Sequence, residues 1–427
     1  MPVSTSDRPA RPAPSEDGSW PVVIQGGMGV AVSSWQMARA VSQAGQLGVV
    51  SGTALDVVIA RRLQDGDANG DVRRALANFP VPAMAERVLN RHFREGGRAP
   101  GESYVPVHKL SMSPSVTCLE LSIVANFAEV WLAKEGHHGV VGINFLEKVQ
   151  MATPSAAYGA MLAGVDYVLM GAGIPSEIPQ LLNHLALHEK CSLDLDVDGA
   201  TTAYSVGLDP EALTGGGLAP LPRPHFLAIV SAHVLAAYLA REDSTRPDGF
   251  VVEGPRAGGH NAPPRGRLVL DADGQPVFGP RDDADRAQVA AVGLPFWLAG
   301  GSSTALPARQ ACSVGVPRGL VFTLVGPSGP RASCCSFRLM SSFEAAYRKG
   351  RPVRHRRPGQ RTGATCVAPV TGPVSPMAAR PGDRPPDCGG RSPAIHQPLA
   401  MLATISFCAA SKRAFGSALP EMTSAAA

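Results

Sequence analysis

Seven short runs of consecutive apolar residues punctuate the first 301 positions of this chain. They are PVVIQGGMG (21–29), LGVVSGTAL (47–55), VVGINFLEK (140–148), VDYVLMGAG (165–173), HFLAIVSA (225–232), DGFVVEGP (248–255) and LPFWLAGG (294–301). A strand with one wet face alternates apolar and polar side chains. These runs do not alternate, so they read as strands buried on both faces, the pattern of a parallel sheet covered by helices. Between them lie stretches with helical spacing, such as SSWQMARAVSQAG (33–45) and AHVLAAYLARE (232–242), the first ending in a glycine suited to close a helix. Repeated βα units of this kind specify a parallel α/β fold. An open doubly wound sheet would gather its glycines into one first turn, G-x-G-x-x-G, and no such motif opens a helix here. Glycines spread over many strand ends fit a (β/α)8 TIM-type barrel, which builds its site from the C-terminal end of every strand.

The remaining segments divide the chain. Residues 1–20 are polar and proline-rich and read as a disordered leader, and 21–301 as the barrel. Residues 56–138 carry Leu and Val at helical spacing with Arg opposite, and read as an inserted helical cap over the barrel mouth. The Gly/Pro-rich stretch 193–223 reads as a surface loop. No run of 18 or more apolar residues and no apolar signal core occur, so the expectation is a cytoplasmic protein without a membrane partner.

Residues 302–427 differ in kind. They hold 16 Lys+Arg against 4 Asp+Glu and six of the eight cysteines. Residues 1–301 hold 23 basic and 31 acidic residues, a net charge of −8, which gives no electrostatic case for nucleic acid. Apolar periodicity nearly vanishes in the tail, whose Arg, Pro, Ser and Gly composition is that of a low-order segment. Its cysteines lack paired zinc spacing with histidines, so no metal is expected. The change is abrupt, as a reading-frame shift near codon 302 of a GC-rich gene would make it. Translating the same DNA in its two other frames tests this, a Gly-Thr strand in register being the expected result. A basic disordered tail that binds nucleic acid or an anionic surface is the other reading.

Candidate chemistry collects at the strand ends. Gly258-Gly259-His260 follows the sixth strand and places bare backbone beside one titratable ring. Imidazole takes a proton near neutral pH, which suits His260 to the role of catalytic base. Gly26, Gly27, Met28 and Gly29 form either a tight βα turn or a cofactor edge. Asn144 offers donor and acceptor together, to a ligand or as a strand-end cap. Glu253 ends the sixth strand, with Arg256 and Arg265 available as ion-pair partners. Gly300 and Gly301 end the seventh strand at a position where barrels often bind phosphate.

Taken in order, IQGGMG, GIN, EGPRAGGHNAPPRG and PFWLAGG resemble the nitronate monooxygenase (2-nitropropane dioxygenase) family over residues of about 21–301. These are FMN-dependent barrels related to flavin-containing enoyl-ACP reductases. The resemblance implies a flavoprotein monooxygenase that oxidises nitronates or nitroalkanes with O2. It implies that Gly26–Gly29 lie along the flavin ring with Met28 packed on it. Asn144 and Glu253 would meet its polar edge or ribityl chain. Gly258 and Gly259 would allow close backbone approach, and Gly300 and Gly301 would receive the FMN phosphate. His260 would remove the α-proton of a nitroalkane. Two other readings are an NAD(P)H-dependent enoyl-ACP reductase-like enzyme and an inactive barrel that does not hold FMN. The family's eighth strand, with its Gly-Thr turn, has no match. GVPRGLVFTLVG (315–326) is the nearest run, so the last βα unit reads as missing or altered.

Overall fold

The computed structural model describes residues 20–255, 257, 262–299 and 319–322. The barrel strands are β1 (Val23–Gln25), β2 (Leu47–Ser51), β3 (Val141–Leu146), β4 (Tyr167–Gly171), β7 (His225–Val230), β8 (Gly249–Glu253), β9 (Phe296–Ala299) and β10 (Gly319–Phe322). β5 (Cys191–Leu195) and β6 (Tyr204–Leu208) form a separate hairpin. The helices are α1 (Trp35–Gln43), α2 (Leu55–Gln64), α3 (Asp71–Leu76), α4 (Pro82–His92), α5 (Val116–Lys134), α6 (Thr153–Leu162), α7 (Ile178–Ala186), α8 (Pro210–Thr214), α9 (His233–Leu239) and α10 (Arg286–Ala291).

The barrel strands close in the order β1-β10-β9-β8-β7-β4-β3-β2, every pair parallel. All seven apolar runs are strands of this barrel. The altered last unit is a four-residue strand, Gly319–Phe322, which pairs with β1 on one side and β9 on the other. It lies within the run that most resembled a strand, so the edges of β1 and β9 are paired and not exposed. The expected leader and the rest of the tail lie outside the described residues, with one exception at the boundary. Trp20 packs edge-on against Trp297 and Tyr167 and lies 5.0 Å from the His225 ring, at the strands' N-terminal ends. Trp297 Nε1 donates to Pro21 O at 2.8 Å, tying the chain's entry to β9.

Two apolar clusters explain why the runs do not alternate. Ile24, Val49, Leu169, Leu227, Val251 and Trp297 pack with one another inside the barrel. Val50, Ile143, Val168, Phe226, Phe250 and Phe296 pack outward with the helices. Strands β2, β4, β7, β8 and β9 are therefore dry on both faces. Close approach matters at Gly48, where a Cβ would sit 1.9 Å from Ala38 O of α1, and at Gly159 of α6, where it would sit 2.1 Å from Ile123 O of α5.

The 56–138 insertion is helical. α2 starts just past β2, at the barrel mouth, while α5 occupies the outer layer between α1 and α6, and α2, α3 and α4 pack mainly on α5. The insertion thus thickens the barrel's flank. α5 has the length and mean hydropathy (1.5) of a membrane-crossing helix, yet 78% of that window is buried within the fold. Its Glu129, 1% exposed, accepts from Arg62 Nη1 at 2.6 Å and from the Trp35 backbone N–H at 2.8 Å, which holds the start of α1.

The 193–223 segment departs from the expected loop. Cys191–Leu195 and Tyr204–Leu208 pair antiparallel, and α8 follows. Cys191, Leu193, Val206 and Leu208 are buried while most of their neighbours are exposed. That is the alternation of a one-faced hairpin.

Candidate functional site

The inward faces of the strands reach the C-terminal mouth with polar groups. On β3, Val141, Ile143 and Phe145 face the helices, so Gly142 and Asn144 face inward. On β8, Val251 lies in the interior cluster, which puts Glu253 on the same inner face two residues further on. The turn after β1, Gly26 to Gly29, lies against both β2 and β3.

Four side chains hold that turn. Gln25, 2% exposed, donates through Nε2 to Gly26 O at 2.5 Å and to Val49 O at 3.2 Å, and its Oε1 accepts from Val49 N at 3.1 Å. Ser33 Oγ donates to Gly26 O at 2.9 Å and accepts from Met28 N at 2.9 Å. Ser51 Oγ donates to Gly29 O. Asn144 Nδ2 donates to Gly27 O at 2.8 Å. Gln25, Ser33 and Ser51 were not singled out from the sequence. The signal was there in one case: Gln25 is a polar residue inside the buried run VVIQ.

Gly27 admits no side chain. A Cβ there would lie 2.6 Å from Val50 O, 2.8 Å from Asn144 Cβ and 2.9 Å from Val49 Cγ1. Gly27→Ala is expected to destabilise the protein by about 1–3 kcal/mol, the cost of overpacking, read as a lower midpoint in urea unfolding. Gly29 has φ +66°, a left-handed conformation that favours glycine.

Asn144 is 9% exposed, and its Oδ1 has no hydrogen-bond partner among the described residues. A buried acceptor left unpaired costs about 1–3 kcal/mol, so the amide is built to meet a donor. An N–H at the edge of a planar heterocycle would serve, and a flavin ring fits this requirement. Asn144 thus holds the Gly27 turn through Nδ2, while its Oδ1 meets no described donor.

Glu253 lies at the inner end of β8, in register with Ala299 of β9. Burial pushes its carboxyl up to about 7. Of the two cations named as partners, Arg265 is engaged elsewhere: its backbone N–H donates to Asp282 Oδ1 at 2.6 Å and its guanidinium to the carbonyls of Ser231 (3.0 Å) and Arg281. Arg256 lies outside the described residues, as do His260, Gly258, Gly259, Gly300 and Gly301. The raised value sets a pH dependence. The folded state holds a proton that the unfolded chain releases near 4.5, so stability falls as pH rises from about 4.5 to about 7. Unfolding free energies of the wild type and Glu253→Gln should therefore diverge across that window, the variant losing less stability, by up to about 3 kcal/mol.

A cavity of about 430 Å³ opens elsewhere, among Gln180 and His184 of α7, Cys191 and Thr245. It includes none of these strand-end groups, and its edge carries an exposed His184–Glu189 pair. Strand-end geometry, more than concavity, marks the site in a parallel barrel. His137, in the turn before β3, meets Ala133 O through Nε2 at 2.7 Å and accepts from Gly139 N at 3.1 Å, so it closes the end of α5.

Fold and mouth together define an eight-stranded parallel α/β barrel with a polar inner rim. No family model matches the chain, and no curated protein does. Among solved structures it is similar to a mutant of FabK from Thermotoga maritima, at 14% identity and TM-score 0.34, covering 70% of this chain and 60% of that one. It is also similar to nitroalkane oxidase from Streptomyces ansochromogenes, at 13% identity and TM-score 0.31, covering 71% and 65%. The chain spans less than two thirds of the length of either structure. Likeness at this level bears on neither fold nor activity.

Proposed function

We propose that this chain is an FMN-dependent oxidoreductase of the nitronate monooxygenase type, acting on alkyl nitronates or nitroalkanes with O2. One observation carries the reading. The Gly26–Gly29 turn is fixed by Gln25, Ser33, Ser51 and Asn144, and Asn144 leaves a buried acceptor unpaired beside it. The motif order IQGGMG, GIN, AGGH and LAGG supports it from the sequence side.

Bound at the mouth, FMN would supply the redox chemistry that couples nitronate oxidation to O2. The chain's own residues would do the rest. The backbone of the Gly26–Gly29 turn would lie along the flat ring, and Asn144 Oδ1 would accept from the ring's edge. Met28 would pack on the ring. Gly258 and Gly259 would permit close approach, and Gly300 and Gly301 would hold the phosphate. His260 would take the α-proton of a nitroalkane as general base.

The test uses the full chain as purified. Nitronate-dependent O2 consumption by a yellow protein is the expected result. Reduction of the bound flavin by NAD(P)H without nitronate turnover would overturn it in favour of an enoyl-ACP reductase-like enzyme. A colourless protein that takes up no flavin would mark the barrel as inactive.

A further inference from the structure

We propose that the mouth selects its substrate by an unbranched alkyl chain, held along an apolar track that runs from Ile229 over Gly171 and Leu146 to Val149, Met151 and Ile174. The proposal rests on the reading that the mouth oxidises nitronates. It deepens that reading by naming the substrate class, nitronates of longer linear chains.

The track starts inside the barrel. Ile229 of β7 packs on the interior cluster, two residues beyond Leu227 toward the mouth. Its side chain lies over Gly171 of β4, where a Cβ would sit 2.7 Å from Ile229 Cβ and 3.2 Å from Cγ2. Gly171 pairs in register with Leu146, the last residue of β3. Val141, Ile143 and Phe145 face the helices, which turns Leu146 inward with Asn144. Ile229 and Leu146 are both half-buried, so each keeps surface for a ligand. The track continues on the connections that leave these strands. The Glu147 backbone N–H donates to Gly171 O at 2.9 Å, which laces the β3–α6 connection to the end of β4. The Val149 N–H donates to Leu146 O at 2.9 Å. Val149 and Met151 on this connection, and Ile174 on the β4–α7 connection, are 45%, 39% and 43% exposed. Ile174 lines one cleft with Glu147 and Gln150, so the two connections meet there.

Apolar side chains gathered at an opening mark a binding surface, and two observations choose an alkyl chain as its occupant. The inner end of the track lies within the barrel, on the same face of β3 as Asn144, where a flat protein or lipid surface cannot enter. Its outer end is acidic: Glu147, Glu177 and Asp194 line the cleft, Asp196 adds its field, and these carboxylates outnumber the Lys148 ammonium. They repel an anionic head group, so a nitronate lies with its head inward and its chain toward the rim. Each methylene laid along the track raises affinity by at most about fourfold, the value for full burial.

The experiment measures O2 uptake by the full chain with ethyl, butyl and hexyl nitronate, and calorimetric binding of the linear alkanoates of the same lengths, which carry no nitronate to oxidise. In the wild type kcat/KM should rise about two- to fourfold per methylene, through KM with kcat nearly constant. Alkanoate affinity should rise in parallel, with a heat-capacity change that grows more negative with length. The double variant Met151→Ser, Ile174→Ser changes two exposed positions, which keeps the fold. Its hexyl-to-ethyl ratio should fall about tenfold. Val22→Ser, at an exposed apolar position before β1 and away from the mouth, should keep the wild-type ratio. A wild-type ratio near one, or an unchanged ratio in the double variant, would overturn the track and leave the nitronate reading intact. Length-dependent alkanoate binding without turnover of any nitronate would overturn the nitronate reading and keep the track. Neither turnover nor binding would overturn both.

Discussion

Asp248→Asn is expected to destabilise the protein by about 3–5 kcal/mol, the cost of removing one partner of a buried ion pair. Asp248 Oδ2 lies 2.5 Å from Arg223 Nη1, and both side chains are 2% exposed. The same oxygen accepts from Phe226 N at 2.7 Å, where β7 begins. Arg223 also donates to Asn183 Oδ1 at 2.9 Å and Pro224 O at 3.0 Å. One carboxylate thus ties the entry of β8 to that of β7 and to the end of α7. The amide cannot neutralise the guanidinium, which stays buried in a dry setting. With total stabilities of about 5–15 kcal/mol, such a loss is a large share of the whole. Urea unfolding should show a much lower midpoint with an unchanged slope. An exposed pair makes the contrast: Asp65, bridged to Arg98 at 2.8 Å, is 46% exposed, and Asp65→Asn should cost about 1 kcal/mol or less. Equal effects at the two sites would mean that the Arg223–Asp248 pair is solvated.

The second large effect is on chemistry. His260→Asn is expected to lower kcat/KM for a neutral nitroalkane by about 10²–10⁴-fold, the range for a general base. The same variant should retain most of its turnover of a preformed nitronate, which has already lost the α-proton. Asparagine keeps a polar side chain of similar reach but cannot accept a proton at neutral pH. The split between substrates separates a base from a residue that merely shapes the mouth. An equal loss on both would assign His260 to binding, and no loss on the nitroalkane would remove it from the mechanism.

Much of this architecture was legible because its physics is repetitive. Buried parallel strands read as apolar runs, and all seven runs became strands of one barrel. Gly27 and Asn144 were legible as strand-end residues, which the structure brings together through one hydrogen bond. What escaped was long-range or short. Arg223 and Asp248 are 25 residues apart and meet only when β7 and β8 pair. Ser33 and Ser51 look like ordinary turn and strand residues until the β1 turn folds over them. The 191–208 hairpin is masked by the Gly/Pro-rich sequence around its two five-residue strands. Of the two cations that charge spacing offers Glu253, Arg265 turns instead to the carbonyls of Ser231 and Arg281, which spacing alone does not reveal. The closing strand shows the limit most plainly: Gly319–Phe322 lacks the expected Gly-Thr turn, yet four residues of backbone suffice to pair β1 with β9.

Central to the account is a mouth that holds a flavin against the Gly27 turn and Asn144. Titration of FMN with the full chain, followed by quenching of the flavin's fluorescence, tests this most directly. The account predicts saturable binding of one FMN per chain. It also predicts affinity about tenfold weaker in Asn144→Ala, which removes the unpaired acceptor and the bond to Gly27 O. Absence of saturable binding by the wild type, or equal affinity in the variant, would contradict it.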